Sequence, residues 1–493
     1  SVSQKQGYPT GNVMTNYSFS KHVLLTVVAV ALLAGCSADV ADVALEQSPD
    51  SGPAMPAGDD WALADEIVAK IETPRIPGGE YNITDFGAVT DDDADDRQAI
   101  LAAIDAASEA GGGQVVIPAG AWISNGPVVL QSRIDLHVAE GARLTFGPRA
   151  ADYLPVVKTR WEGTMMMGYS PLIYAADVED VAITGSGVID GNADSEFHAW
   201  NSDEHEPRLP HDDMLKLRQM GIDGVPLEER VFGEGTHLRP AAIQFLGAKR
   251  VLLDGYTILN SPFWINHLVF TDHAIVRNLE VDSHFGNNDG VDVDSSTYVL
   301  IEDNLFRTGD DSVVVKSGRD RDGRDIGRPS EYVVVRNNDM GGEDGIALGS
   351  EMSGGIRHVF FDNNVLRKGS SAIRFKSNLD RGGVVEHIRV RNFTVESFDN
   401  LFWFQLNYPG GMGGNFPATY RDIVFENFRV EKVGTVFEAH APASAPLLDV
   451  RLKNIMIGEA EIPLVLENVS NLEFENVRIG DQAINGLLNW KTE

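Results

Sequence analysis

Cysteine is nearly absent: one residue, Cys36, in 493, so no disulfide can form within the chain. Basic residues are also scarce, with 40 Lys+Arg against 73 Asp+Glu, a net charge of −33 and a pI near 4.6. A nucleic-acid partner is excluded on that balance, because phosphate binding needs a basic surface. No apolar run is long enough for a bilayer core of about 30 Å; the longest, Val23 to Ala34, is too short. The histidines between Asn192 and Arg239 (His198, His205, His211, His237) lack any regular ligand spacing such as HExxH, and read as solvated loop rather than a metal site. No metal or other cofactor is expected.

Short as it is, the Val23–Ala34 run has meaning. Lys21-His22 precede it and Leu33-Ala34-Gly35-Cys36 end it, a pattern that resembles the lipobox of bacterial lipoproteins. Met14 reads as the start of the signal peptide, with Ser1 to Val13 upstream of it, and 1–35 is leader and signal peptide together. The resemblance implies cleavage before Cys36, lipidation of its sulfur, and, with Ser37 next, an exported outer-membrane lipoprotein of a Gram-negative bacterium. The alternative is an ordinary signal peptide with an incidental cysteine. Residues 36–75, rich in Asp, Ala, Pro and Ser at their start, read as a flexible tether. The membrane would be touched only through the lipid, and a monomer is expected.

The remainder, 76–493, reads as one elongated repeat array. Asp95 to Ala110 is Ala-rich with Ile100, Ala103, Ile104 and Ala107 on one face, a helix that Gly111 to Gly113 stops. Gln114 to Pro118 then reads as a strand, so the helix is an N-terminal cap on a β array. Short strand patterns end in Asn or Asp at Asp254, Asn278, Asn304, Asn337, Asn363, Asn392, Asn427, Asn454 and Asn476, with gaps of 22 to 35 residues. One strand pattern per unit at that period indicates a solenoid. No helix-length periodic segments intervene, so an all-β parallel β-helix fits best. Its coils stack about 4.8 Å apart and bring equivalent residues together. The polar stretch 192–239 interrupts the repeat as a loop insertion, which solenoids place on one face.

The chemistry concentrates after Gly286. Asp289 stands in Asn287-Asn288-Asp289-Gly290, and Asp310-Asp311 follow one strand later, 21 residues from Asp289. On successive coils these carboxylates converge, an arrangement whose repulsion raises their pKa values and is rarely kept without a use. Asp344 sits on the next coil, and Arg374 and Lys376 on the one after. Alternate residues of a strand share a face, so both cations reach the same side. One carboxylic acid and one carboxylate holding water are what glycosidic hydrolysis needs. Turn-stabilising aspartates, a calcium site made of the same aspartates, or a structural ion pair with the two cations are the alternatives that the residues leave open.

NNDG (287–290), GDD (309–311), GSEMSGG (349–355) and RFKSNLDRGG (374–383), in that order, resemble the polygalacturonase family of glycoside hydrolases; GGGQVVIPAG, SPLIYA and NSPFW upstream extend the likeness. The resemblance spans Tyr81 to Tyr408. It implies a single-stranded, right-handed parallel β-helix of the pectin-lyase-like kind. It also implies inverting hydrolysis of α-linked galacturonic-acid chains, with an acidic polysaccharide or oligosaccharide as partner. By the same resemblance Asp310 is the general acid, Asp289 and Asp311 hold the water, Arg374 and Lys376 bind a uronate carboxylate, and Asn287, Asp344 and Tyr408 contact substrate. The family has His-Gly where this chain has Asp344-Gly345, which leaves the exact sugar open. If 192–239 closes one end of the groove, the action is exo. A Ca²⁺-dependent polysaccharide lyase or another uronate or sulfated-glycan hydrolase on the same fold, and a glycan-binding β-helix without catalysis, are the rival functions.

Overall fold

The repeat asparagines mark the corners of a coil. In the computed structural model, which describes residues 60–492, seven of them hold a left-handed backbone: Asn278, Asn337, Asn363, Asn392, Asn427, Asn454 and Asn476 have φ between 52° and 61°. Asn tolerates that conformation better than most residues because its short amide bonds locally. The amides also bond coil to coil, Asn363 to Asn337 at 2.8 Å, Asn454 to Asn427 at 3.1 Å and Asn476 to Asn454 at 2.9 Å. Asn304 departs from this: its corner is taken by Asp303, while Asn304 joins a buried ladder with Asn338 and Asn364. Between corners, strands pair in parallel with a coil's worth of sequence between partners, in one sheet of 29 strands. The chain is thus wound as a right-handed parallel β-helix. Its bore is filled by stacked Val, Ile, Leu and Phe. The last strand, Gln482–Trp490, turns back antiparallel and covers the terminal edge.

The N-terminal cap is helix α2, Arg97–Glu109, which buries Ala99, Ile100, Ala103, Ile104 and Ala107 over the first coil. Asp95 and Asp96 lie just before it, not inside it; Asp96 accepts from the backbone of Val89 and Ile123. Cys36 and the leader lie outside the described residues. Among those described, no helix is long and apolar enough to cross a membrane.

Two expectations need correction. First, the stretch read as tether up to residue 75 contains helix α1, Trp61–Lys70, docked on the outside of the sheet. Ala64 and Ile67 pack on Ile275, Leu300, Val334 and Phe360, and the Trp61 ring meets Phe360 at 5.5 Å and the Arg391 guanidinium at 3.8 Å. Those outward apolar residues of successive coils form a patch that water would otherwise cover, and the amphipathic segment buries it. Second, the 192–239 insertion is not a plain loop. It holds α3 (Glu196–Trp200), α4 (Pro210–Asp223) and the strand Val231–Phe232, which pairs with a hairpin of Val157–Trp161 and Thr164–Gly168. A further helix, α5 (Asp320–Ile326), packs beside α4.

Candidate active site

The strand Val291–Asp294 pairs with Val313–Lys316, which pairs with Asp344–Leu348, which in turn pairs with Val365–Lys376. That register stacks Asp289, Asp311 and Asp344 at the same corner of three successive coils. The backbone bonds at the corner agree: Gly290 N–H donates to Asp311 O and Ser312 N–H to Asp344 O, both at 2.9 Å. Asp310 leans out beside them, half-buried, while Asp289 and Asp311 are 3 % and 2 % exposed. Carboxylate oxygens of Asp289, Asp310 and Asp311 all lie within 4.8 Å of one another.

Two lysines neutralise the cluster from below. Lys376 Nζ is 2.7 Å from Asp311 and 3.0 Å from Asp344. Lys316 Nζ lies 3.7 Å from Asp289, 3.8 Å from Asp292 and 3.2 Å from Glu351, with the Trp264 ring 4.5 Å away. Burial alone would lower Lys316, but Glu351, Asp289 and Asp292 outweigh it and hold the ammonium charged well above its ordinary value. Burial pushes Asp289 well up, reinforced by Asp292 and Asp310 and opposed by Lys316. Burial likewise pushes Asp311 up against the pull of Lys376, with Asp344 and Asp310 adding to the rise. Asp292, whose oxygens find no hydrogen-bond donor, is pushed by burial to about 8.

Asp344 behaves in the opposite way. Burial would raise it, yet Lys376 and then Arg374 hold it well below the usual carboxylate range. Lys376 is kept charged against its burial by Asp311 and Asp344 together, and it donates to both oxygens of Asp311. In the coil register Asp344 stacks on Asp311, and its neighbour Glu343 stacks on Asp310.

Arg374 donates to Asp344 at 3.0 Å and to Gln405 at 2.6 Å, with its guanidinium 4.1 Å from the Trp403 ring and 5.7 Å from the Tyr408 ring. The two cations thus form ion pairs with the acid cluster, Lys376 buried beneath it, while Arg374 and Tyr408 are the half-buried pair beside it. Asn287 sits at a left-handed corner, φ 62°, and accepts from Arg239 Nη2 at 2.6 Å. All the sequence-derived positions except Cys36 are therefore brought to one groove. Lys316, Glu351, Asp292, Arg239 and Trp264 escaped the sequence reading. Glu351 stood in GSEMSGG and Trp264 in NSPFW, but only the coil register shows that their side chains meet at Lys316.

A β-helix groove that stacks carboxylates on successive coils and flanks them with cations defines a class of enzymes acting on acidic polysaccharides. Known proteins agree. The profile described as Glycosyl hydrolases family 28 matches residues 232–473, and one described as Rhamnogalacturonase A/epimerase, pectate lyase-like, matches 81–141. A probable polygalacturonase of Vitis vinifera is 30 % identical over 399 residues, 76 % of this chain and 74 % of the relative. The crystal structure of a hyperthermoactive exopolygalacturonase from Thermotoga maritima superposes with a TM-score of 0.83 at 38 % identity, covering 87 % of this chain and 99 % of that one. An exo-poly-alpha-D-galacturonosidase of Dickeya chrysanthemi is 26 % identical, over 71 % of this chain and 62 % of that protein. The chain belongs to glycosyl hydrolase family 28, and it is a glycoside hydrolase.

Proposed function

We propose that this chain hydrolyses galacturonan from a chain end, with Asp310 as general acid and Asp289 and Asp311 holding the water. The observation that carries the reading is the meeting of three carboxylates within 4.8 Å beside Arg374 and Lys376. Asp310 is the most open of the three, so it is the one able to reach the glycosidic oxygen. Its proton passes to that oxygen, water adds to the anomeric carbon, and the water's proton goes to the Asp289–Asp311 pair. Asp311, with both oxygens on Lys376 at 2.7 and 2.9 Å, is tied down as an acceptor and poorly placed to become a covalent nucleophile. Inversion follows from water as the attacking group, although inverting enzymes usually space their two carboxyls about 6.5–9.5 Å apart. Here the water would sit at the outer edge of Asp289 and Asp311 instead of between acid and base. Arg374 grips a uronate carboxylate and Tyr408 packs against the sugar.

Chain-end action rests on the insertion. The His198 ring lies 3.9 Å from that of Phe285 and Arg239 bonds to Gly286 and Asn287, so the insertion is packed against the corner directly before Asp289. On the flank, Arg218 of α4 binds Asp320 and Asp380 at 2.6 Å each and clasps the loop that carries Tyr408. The Thermotoga and Dickeya proteins are by name exo-acting enzymes, which supports the same reading. Digesting galacturonan and following products by mass and by NMR of the newly formed anomer tests both parts. Only the shortest product from the earliest times, released with inverted configuration, is expected. A ladder of oligomers sinks chain-end action, and retained configuration sinks the water mechanism. For the segments outside the described residues, the Leu33-Ala34-Gly35-Cys36 pattern supports export and lipid anchoring at Cys36 in the outer membrane, with a monomeric catalytic body.

A further inference from the structure

Among the described residues seven arginines are buried: Arg160, Arg218, Arg230, Arg239, Arg319, Arg381 and Arg389. Six of them sit on a carboxylate, respectively Asp294, Asp320, Asp322, Glu162, Asp320 and Asp60 once Arg239 is left out. Arg239 does not. Its Nη1 donates to the backbone oxygens of Pro262 and Gly286 at 2.8 and 3.0 Å, its Nη2 to Asn287 Oδ1 at 2.6 Å, and its Nε is enclosed without an acceptor. Among the described residues no carboxylate pairs with it, in a chain that has acids to spare. A buried charge left uncompensated costs several kcal/mol, and an apolar side chain of the same size would usually serve the fold better.

Its position accounts for keeping the charge. Arg239 closes the insertion and enters the coil whose strand, Ile243–Leu246, pairs with Asn266–Val269, which pairs in turn with Val291–Asp294. Its guanidinium therefore approaches Asp289 from the side opposite to the Arg374 coil. Asp289, Asp310 and Glu162 are the acids whose fields it feels, and Arg208 is the opposing cation. Cations thus bracket the three aspartates along the groove, one pair satisfied by Asp311 and Asp344, the other cation held by neutral oxygens and by the Phe263 ring 4.9 Å away, with no carboxylate of its own.

We propose that Arg239 is the positioning residue of the closed end of the groove: it fixes Asn287 and supplies the uncompensated positive charge that receives the carboxylate of the terminal uronate. This rests on the chain-end reading. A polygalacturonate chain has one carboxylate per sugar, so a sugar on each side of the cleaved bond meets a cation, Arg374 and Lys376 on one side and Arg239 on the other. Specificity for an acid at the chain end, rather than its methyl ester, then comes from a residue that touches none of the reacting atoms.

The test uses the full catalytic chain and trigalacturonate in three forms: unesterified, or carrying one methyl ester at either end sugar. Wild type is expected to discriminate against both esters. Arg239→Gln should raise KM for the unesterified trimer about tenfold, the scale of one charge-assisted contact. It should also abolish discrimination against one end-ester while leaving the other intact. Arg239→Lys should restore part of the loss on the acid only. An equal loss on all three trimers, or a wild type indifferent to both esters, overturns the role of Arg239. Should Arg239→Gln not fold, Arg239→Lys and the wild-type comparison still decide. A ladder of products from the polymer would instead overturn the chain-end reading, while the trimer comparison reads Arg239 alone.

Discussion

Asp344→Asn isolates one charge. In the structure Asp344 Oδ2 lies 3.0 Å from both Lys376 and Arg374, and its other oxygen is buried without a donor. The amide keeps the shape and removes the anion. Asp311 and Asp344 contact the same ammonium, at 2.7 and 3.0 Å, so their nearest oxygens are within about 6 Å of one another. At an effective dielectric of about 20, two charges at that distance repel by about 2.8 kcal/mol, or about two pKa units. Lys376, lying between them, screens part of this, so a drop of about one unit in Asp311 is expected when Asp344 is neutralised. Asp311 must lose its proton to hold the attacking water, so the acid limb of the kcat/KM profile should move to lower pH by about that amount. The alkaline limb should stay. Stability provides a second readout. Asp344's folded pKa is depressed, so its contribution is present above the unfolded carboxylate pKa of about 3.9 and is lost only as pH falls through the lower folded value. The variant should therefore be less stable than wild type at pH 5 to 8, near the low end of the about 3–5 kcal/mol for breaking a buried pair, because Lys376 keeps Asp311 and Arg374 keeps Gln405. The two should converge in strong acid. A shifted alkaline limb with a fixed acid limb would refute the reasoning, since Asp344 would then act on a group other than Asp311.

Asp310→Asn should lower kcat by about 10²–10⁴-fold with KM and the urea midpoint nearly unchanged, measured by steady-state kinetics beside a denaturation curve. A chelator should leave kcat unchanged on dialysed protein, because Lys316 and Lys376 already neutralise the aspartates whose spacing would suit a metal ion; loss of activity restored by Ca²⁺ would revive the lyase alternative. Trp61→Ala should undock α1, seen as faster proteolysis between residues 60 and 76, at about 2 kcal/mol and with kcat intact, since its contacts with Phe360, Arg391 and Glu426 lie on an outer face. Cys36→Ser should move the protein from the membrane to the soluble fraction with activity unchanged; continued membrane association would overturn the lipid anchor.

How much could be read in advance depended on how each element signals itself. The coils were legible because their corners need a left-handed residue and use Asn for it, which leaves a mark at each turn. The aspartates were legible because a solenoid turns a sequence period into a spatial column. Helix α4 left no such trace. Its buried residues are Pro210, Leu217, Arg218 and Gly221, hardly an apolar face, and what fastens it is the Arg218 link to Asp320 and Asp380. An ion pair between residues 102 apart has no local pattern to find. The same holds for α1, whose partners are four strands that only the coil register brings side by side.

The partners of each charge were the other part the sequence withheld, and they change the chemistry assigned to it. The family resemblance made Arg374 and Lys376 a substrate clamp and Asp344 a substitute for a histidine. Once paired, Asp311 and Asp344 together keep Lys376 charged, Lys376 immobilises Asp311, and Lys316 lies beside Asp289 with Glu351 as its counter-ion. The two water-holding aspartates are thus each set over an ammonium, and each ammonium has a second buried carboxylate, Asp344 for Lys376 and Glu351 for Lys316. That arrangement lets three acids share one corner without expelling one another, and it leaves the least buried of them, Asp310, as the one without a cation of its own.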